Sequence, residues 1–259
     1  MALNPPIRKW RDKRVWIVGA SSGIGEALAR RLAGAGARLA LSARSRDKLD
    51  ALAATLPDSL SLPLDVRHAD ELRRAHQELR DRWGDVDLAV FNAGTYSAMR
   101  ANDFDLDTMN EHFAVNYHGV VAGIAAVLPD FLARQDANPA IAIVSSVAGY
   151  GGLPGALAYG PSKAALINLA ESLYLDLSSR GIGVYLINPG FVDTPLTRQN
   201  RFKMPALISA DEAAREIVAG FARGEFEMHF PRRFTRVLKA LGWLPYGAYF
   251  RAVRRFTGA

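Results

Sequence analysis

Tyr159 and Lys163 stand four residues apart in the segment Tyr-Gly-Pro-Ser-Lys. On a helix, positions i and i+4 share a face, so this spacing sets a phenol beside an ammonium. A free tyrosine gives up its proton near pH ~10 and is a poor acid or base at neutral pH. A neighbouring ammonium favours the phenolate and lowers that value, so the pair is suited to moving a proton at an oxygen atom. The same spacing also arises by chance on helix surfaces, and it needs support from the rest of the chain. Pro161 fits only in a helix's first turn, where its missing N–H is an orphan anyway. That places Tyr159 at the mouth of a helix read over 158–179.

A second constellation lies far upstream. Gly19, Gly23 and Gly25 follow the spacing G-x-x-x-G-x-G between a β-branched run at 15–18 and a helical stretch at 26–35. Glycines at a strand-to-helix junction allow a tight turn and let backbone N–H groups approach a pyrophosphate at the helix N-terminus. Ser21 and Ser22 can cap that helix or donate hydroxyls to a phosphate. A βα turn with no ligand reads the same way. The second strand discriminates further. NAD-binding folds usually place an acid about 20 residues past the glycines, on the ribose hydroxyls. Here the segment 41–46, Leu-Ser-Ala-Arg-Ser-Arg, contains no acid. Arg44 and Arg46 suit a 2′-phosphate, so the cofactor is expected to be NADP(H) rather than NAD(H). The alternative is a pair of arginines solvated at a helix start.

These groups must be positioned by regular elements, and the apolar pattern supplies them. Strands are expected at 15–18, 38–42, 60–64, 88–91, 141–144, 184–187 and 226–230. Helices alternate with them at 26–35, 47–55, 70–82, 109–132, 158–179 and 210–223. Alternation of this kind predicts an α/β chain: a Rossmann-like, doubly wound parallel sheet of about seven strands with helices on both faces. One domain is expected over 1–230, with a helical extension over 231–259. The 259 residues are 49% hydrophobic and 22% charged, which excludes a disordered chain. Cysteine is absent, so disulfides, thiolate metal sites and cysteine nucleophiles are excluded. His68, His76, His112, His118 and His229 show no metal spacing, and no metal is expected. The N-terminus shows no apolar core of signal-peptide length, and the longest nearly apolar run, 119–129, is too short to span a bilayer. A cytoplasmic location is the expectation.

With these residues in hand, the sequence resembles the short-chain dehydrogenase/reductase family, in its single-domain, NADP-preferring branch, from about Lys13 to Phe230. The resemblance implies that Gly19, Ser21, Ser22, Gly23, Ile24 and Gly25 hold the cofactor phosphates and Arg44 the 2′-phosphate. Asp65 and Val66 match an acidic dipeptide that contacts adenine, and Asn92-Ala93-Gly94 matches an Asn-Asn-Ala-Gly motif whose first Asn is here Phe91. Ser146, 13 residues before Tyr159, takes the place of the serine that holds the substrate oxygen, with the adjacent Ser145 as the second choice. Asn116 matches a fourth catalytic position, which binds water near the lysine. The segment Pro189-Gly190-Phe191-Val192-Asp193-Thr194 matches one that carries the nicotinamide carboxamide, through the Val192 backbone and the Thr194 hydroxyl. Tyr159 and Lys163 complete the site, and pairing as a homodimer or homotetramer through the long helices is implied.

The implied activity is hydride transfer between NADP(H) and a carbonyl or secondary alcohol, with Tyr159 as general acid/base, its phenolate favoured by the ammonium and an oxidised nicotinamide together. A non-catalytic NADP-binding regulator and a membrane-peripheral protein are rival readings on the same fold. The substrate loop is expected at 149–157, with Tyr96, Leu153, Phe191, Phe202 and Met204 as candidate walls for a hydrophobic substrate; the same residues could simply be core.

The formal charge of +6 is unevenly spread. Arg232, Arg233, Arg236, Lys239, Arg251, Arg254 and Arg255 give the last 30 residues +7 with no acid, leaving 1–229 at −1. Phe230, Phe234, Val237, Leu238 and Leu241 fall on one helical face, and Tyr246, Tyr249, Phe250, Val253 and Phe256 form a second such set. These basic amphipathic segments either pack on the domain as a lid or oligomer contact, or lie in a membrane interface. Charge alone would also admit nucleic acid, but no groove-reading motif supports it, and none is expected as a partner.

Overall fold

In a computed structural model, residues 2–134, 138–200 and 204–258 are described. Phe202 falls outside them. The strands are β1 (Arg14–Val18), β2 (Arg38–Ser42), β3 (Ser59–Ser61), β4 (Leu88–Phe91), β5 (Ala140–Val144), β6 (Gly183–Pro189), β7 (Val192–Asp193), β8 (Ile208–Ser209) and β9 (Glu227–Phe230). The helices are α1 (Gly23–Gly34), α2 (Arg46–Ala54), α3 (Ala69–Trp83), α4 (Leu106–Phe113), α5 (Gly119–Ala133), α6 (Tyr159–Leu177), α7 (Ala210–Arg223), α8 (Arg232–Leu241) and α9 (Tyr246–Thr257).

Seven strands form one parallel sheet in the order β3-β2-β1-β4-β5-β6-β9, a Rossmann-like arrangement. Both faces are covered, which is why the strands read as continuous apolar runs rather than alternating ones. In β1 the alternation is still visible in the packing. Val15 and Ile17 join the core under α1 and α7, whereas Trp16 and Val18 join the core under α3, α5 and α6. The strand order reverses between β1 and β4, and the carboxyl ends on either side of that switch point are where open α/β sheets bind ligands.

Three departures from the sequence expectation have physical reasons. The third strand ends at Ser61 instead of continuing to Leu64, because Pro63 has no N–H to give the ladder; Leu62 and Leu64 still donate to the Leu41 and Ala43 carbonyls at 2.8 and 3.1 Å. The helix read over 109–132 begins earlier, where Asp105 caps α4 by accepting from the Thr108 N–H at 2.7 Å, and a π-helical turn at Ala114–His118 interrupts it. The short β7–β8 pair has no counterpart in the apolar pattern; two residues per strand leave no periodicity to read.

The continuous helical run Leu106–Ala133 is, by length and composition, long and apolar enough to cross a membrane, which the run at 119–129 alone does not suggest. Its apolar character has a local explanation. Val120, Ile124, Val127 and Phe131 pack into the sheet's core. Phe91 reaches the same helix: a Cβ at Gly123 would lie 2.2 Å from its ring, so the glycine makes room for the phenylalanine that replaces the family's asparagine.

Candidate active site

The glycine turn is built by close approach. Gly19 has φ +94°, and a Cβ there would lie 2.4 Å from the Ala93 backbone nitrogen. At Gly25 a Cβ would sit 2.1 Å from the Gly19 carbonyl oxygen. Asn92 fastens this turn to β4, donating from Nδ2 to the Gly19 carbonyl at 2.7 Å. Neither Ser22 at the N-terminus of α1 nor Ser45 at that of α2 spends its hydroxyl on a cap. Both open into one cleft of about 390 Å³ at the switch point.

That cleft is lined by the predicted Gly19, Ser21, Ser22, Gly23, Ile24, Arg44, Asp65, Val66, Asn92, Ala93, Gly94, Ser146, Tyr159, Lys163, Pro189, Gly190, Val192 and Thr194. Gly25, Asn116, Tyr96, Leu153 and Phe191 do not line it. Gly25 acts by packing beneath the turn, and Asn116 is buried behind the wall. Ala43, Ser45, Val115, Val144, Ser145, Leu196 and Thr197 line it too, although no sequence motif marks them for cofactor contact. Arg44 is exposed, and among the described residues its side chain makes no hydrogen bond or ion pair. Asp65 is different: its carboxylate is tied to Arg67 at 2.6 Å, and that hydrogen bond, helped by the charges of Arg67 and Arg44, holds it below the usual carboxylate range.

Two uncapped helix N-termini, unspent serine hydroxyls and an unpaired guanidinium form a donor set for anionic oxygens. A phosphate-bearing dinucleotide fits it.

Across the switch point, Tyr159 opens α6 and Pro161 sits in its first turn. Burial pushes the Tyr159 phenol up to about 12; the hydrogen bond with Ser146 opposes this, and the Tyr96 phenol adds to it. The lowering is expected of the ammonium acting together with an oxidised nicotinamide; among the protein groups alone, burial dominates. Lys163 Nζ lies 5.7 Å from the centre of the Tyr159 ring and donates instead to the Val144 carbonyl at 3.0 Å. Burial pushes its amine down to about 8.

Ser146 Oγ accepts from the Ala148 N–H at 3.2 Å, and its own hydrogen bond to Pro189 O is long, at 3.5 Å. Ser145 instead donates to the Lys163 carbonyl at 2.7 Å, which commits its hydroxyl to holding α6. Asn116 sits in the π-helical turn, a kind of irregularity that recurs at functional sites. Its Oδ1 accepts from the Thr95 N–H at 2.7 Å, and its Nδ2 donates to the Thr95 carbonyl and to Ser162 Oγ at 3.1 and 3.0 Å. Ser162 in turn donates to the Tyr159 carbonyl at 2.8 Å. In the sequence Ser162 is only a variable position inside the Tyr-x-x-x-Lys motif. The position of Gly94 brings the two groups together: a Cβ there would lie 3.4 Å from Asn116 Oδ1 and 3.6 Å from Lys163 Nζ.

Of the candidate walls, Tyr96 meets Tyr159 edge to face at 5.1 Å, and Phe191 packs on Phe234 of α8 at 5.7 Å. Leu153 lies in the loop at 149–157, and Met204 Sδ accepts from the Asn200 amide at 3.4 Å. The loop itself is tied to Met99 by a bridge at Ala156. His112 is buried beside Tyr159, accepting from Ser97 N–H at 3.0 Å and donating to Thr108 O at 2.7 Å, so it fixes the segment that carries Tyr96. Among the described residues no three His, Asp or Glu converge on a metal geometry.

Comparison with known proteins agrees with this arrangement. Residues 13–205 match the short chain dehydrogenase family. An uncharacterised oxidoreductase of Myxococcus xanthus is 34% identical over 246 residues, covering 92% of this chain and 95% of its own. A dehydrogenase/reductase SDR family protein 7-like of Anopheles gambiae is 31% identical over 268 residues, covering 96% of this chain and 84% of its own. Two solved structures share the fold. A short-chain dehydrogenase of Streptomyces avermitilis has a TM-score of 0.81 at 25% identity, covering 94% of this chain and 96% of its own. A Burkholderia phymatum short chain dehydrogenase/reductase, solved with NAD, has a TM-score of 0.82 at 22% identity, covering 90% of this chain and 94% of its own. A glycine turn at a sheet's switch point, a tyrosine and lysine on the facing helix, and a family match over most of its length make this chain an oxidoreductase of the short chain dehydrogenase family, which works with a nicotinamide cofactor.

Proposed function

We propose that this protein transfers a hydride between NADP(H) and the carbonyl or secondary-alcohol carbon of a hydrophobic small molecule. The observation that carries the reading is one cleft shared by Tyr159, Ser146 and Lys163 on one side and the unpaired Arg44 on the other. Gly19, Ser21, Ser22, Gly23 and Ile24 would hold the pyrophosphate, Arg44 with Ser45 the 2′-phosphate, and Lys163 the nicotinamide ribose. When bound, the cofactor supplies or accepts the hydride.

The remaining chemistry belongs to the protein. Tyr159 stays protonated at neutral pH because burial raises its pKa, so it is ready to donate to a substrate oxygen in the reducing direction. Ser146, which counters part of the burial effect on that phenol, polarises the same oxygen. Asn116 ties Thr95, next to Gly94, to Ser162 on α6 and has a second Oδ1 lone pair for the water that returns the proton. Tyr96, packed edge-on against Tyr159, keeps that end apolar. The same reading makes the enzyme cytoplasmic and pairs it as a homodimer or homotetramer through α5 and α6, where Val121, Leu132 and Leu175 are exposed.

The test is a panel of apolar aldehydes and ketones run in parallel with NADPH and NADH. Turnover with NADPH, reduced roughly 10³-fold in Tyr159→Phe while NADPH still binds, is the expected result. Near-native turnover by Tyr159→Phe would overturn the assignment. Binding of NADPH with no turnover of any member would instead make the protein a non-catalytic NADP-binding regulator.

A further inference from the structure

The two C-terminal helices use only part of their apolar faces to hold the domain. From α8, Thr235 is buried and Phe234 and Leu238 are partly buried; Phe234 packs on Phe191, and Thr235 bonds His229 at 2.6 Å. From α9, Tyr249 and Val253 are buried, and Tyr249 Oη donates to the Gly152 carbonyl at 2.9 Å. Lys239 reaches Glu227, and Arg232 reaches Glu225 at 2.7 Å. These contacts dock the two helices on the segment 225–230, on Phe191 and on the loop at 149–157.

What is left over is large, apolar and aromatic. Trp243, in the turn between the helices, is 82% exposed, and Tyr246, which opens α9, is 80% exposed. Leu244, Phe250, Phe256 and Val237 are exposed as well. Around them stand Arg233, Arg236, Arg251, Arg254 and Arg255, all exposed and, among the described residues, without an ion pair. The two helices carry no acid that could neutralise their own arginines, and residues 1–229 carry a net −1.

We propose that the C-terminal segment formed by α8 and α9 docks on an anionic lipid bilayer. Charge complementarity selects the partner: unpaired arginines beside exposed apolar side chains match acidic headgroups above an acyl layer. Trp and Tyr at the turn match the headgroup level, where an apolar ring with one polar group is best placed. Because Phe234 and Tyr249 join the two helices to the segments carrying Phe191 and Gly152, docking sets the expected substrate end of the cleft beside the membrane. The docking does not depend on the oxidoreductase chemistry, and its test reads binding alone.

The experiment is flotation of the full-length protein with phosphatidylcholine vesicles containing about one quarter phosphatidylglycerol, against pure phosphatidylcholine, at low and high salt. Two triple variants accompany it, Arg251→Gln/Arg254→Gln/Arg255→Gln and Trp243→Ser/Tyr246→Ser/Phe250→Ser, each checked for a native circular dichroism spectrum. The expected result is binding to the acidic vesicles that weakens with salt. It falls at least tenfold in the arginine variant, since each basic residue near such a surface is worth roughly fivefold in affinity, and also in the aromatic variant. A blue shift of fluorescence on the acidic vesicles that Trp243→Phe abolishes is expected too. No flotation at low salt would overturn the proposal. So would flotation equal in wild type and both variants, or tighter binding to a duplex oligonucleotide than to the vesicles. A wild-type oligomer that the aromatic variant dissolves, with no flotation by either, would assign the patch to a second copy of the chain.

Discussion

Lys163 Nζ donates to the Val144 carbonyl at 3.0 Å from a site with almost no solvent. The hydrogen bond anchors the start of α6 to the end of β5, and the desolvation that comes with it pushes the amine down to about 8 from the ordinary 10.5. A lysine whose folded pKa is depressed binds fewer protons than its unfolded counterpart between those two values. Stability therefore rises with pH across that window, and below pH ~8 the full penalty applies, about 3 kcal/mol as an upper figure. Lys163→Met should abolish this slope. Urea midpoints compared at pH 7 and 9.5 would show the wild type gaining on the variant as the pH rises. Parallel curves would mean that the amine titrates at its ordinary value.

Asn116 depends on Ser162, since the serine hydroxyl bridges the asparagine amide and the Tyr159 carbonyl. Ser162→Ala leaves one buried Nδ2 hydrogen without a partner, at about 1–3 kcal/mol of stability. The amide can then turn, and the Thr95 main chain loses its fixed partner. The expected kinetic signature is a kcat about tenfold lower with KM for both substrates little changed, and Ser162→Thr should rescue it. An unaltered kcat in Ser162→Ala would show that the bridge is only structural.

On the proposed function, coenzyme preference turns on Arg44. Its guanidinium makes no hydrogen bond or ion pair among the described residues, so a phosphate would gain a charge-assisted contact worth about 1.5–3 kcal/mol. Arg44→Ala is expected to raise KM for NADPH on the order of 10- to 100-fold and to leave KM for NADH within a factor of about three. Equal losses with both coenzymes would place the arginine elsewhere in binding.

Much of this arrangement is legible in the amino-acid sequence, and the reasons are local. Gly19 and Gly25 stand out because backbone touches backbone there and no other residue fits. The strands stand out because a sheet covered on both faces makes each one an apolar run, as Val15, Trp16, Ile17 and Val18 show. Contacts set by tertiary approach are not legible. The spacing that joins Tyr159 to Lys163 says nothing of Val144, whose carbonyl takes the ammonium, nor of the burial that raises the phenol's pKa. The amphipathic pattern of α9 groups Tyr246, Tyr249, Phe250, Val253 and Phe256 together, but of these only Tyr249 and Val253 are buried against the domain. A helical wheel shows an apolar face, not how much of it a neighbour will cover.

At the opposite end of the sheet, Asp87 takes hydrogen bonds from Arg14 at 2.8 and 3.0 Å and from Arg134 at 3.0 Å. Burial alone would raise this carboxyl, but the two guanidinium groups outweigh it and hold it well below its usual range. A carboxyl depressed in the folded state contributes stability that is present above its unfolded value, near 3.8, and lost as the pH falls below it. Arg14→Met should lower stability at pH 7 by about 2 kcal/mol. That is less than the ~3–5 kcal/mol of a fully buried broken pair, because Arg134 stays in place. The variant should also lose less than the wild type on acidification. Urea midpoints at pH 7 and 3 would check both signs, and an equal acid loss in the two proteins would remove Asp87 from the account.

Tyr249 couples the tail to the loop at 149–157. Its hydroxyl donates to the Gly152 carbonyl, and a Cβ at Gly151 would lie 2.5 Å from the same hydroxyl oxygen, so the ring lies directly against the loop's backbone. Tyr249→Phe removes one hydrogen bond, worth about 0.5–1.5 kcal/mol, while keeping the ring's packing. If that loop closes over the substrate, the loss should appear as a severalfold higher KM for the carbonyl compound, with KM for NADPH unchanged because the glycine turn and Arg44 lie beyond the contact. Gly151→Ala should act in the same direction and more strongly, since its methyl group would push the tyrosine away. Steady-state kinetics with each substrate varied in turn would decide. A change confined to the coenzyme would show that the loop serves the other side of the cleft.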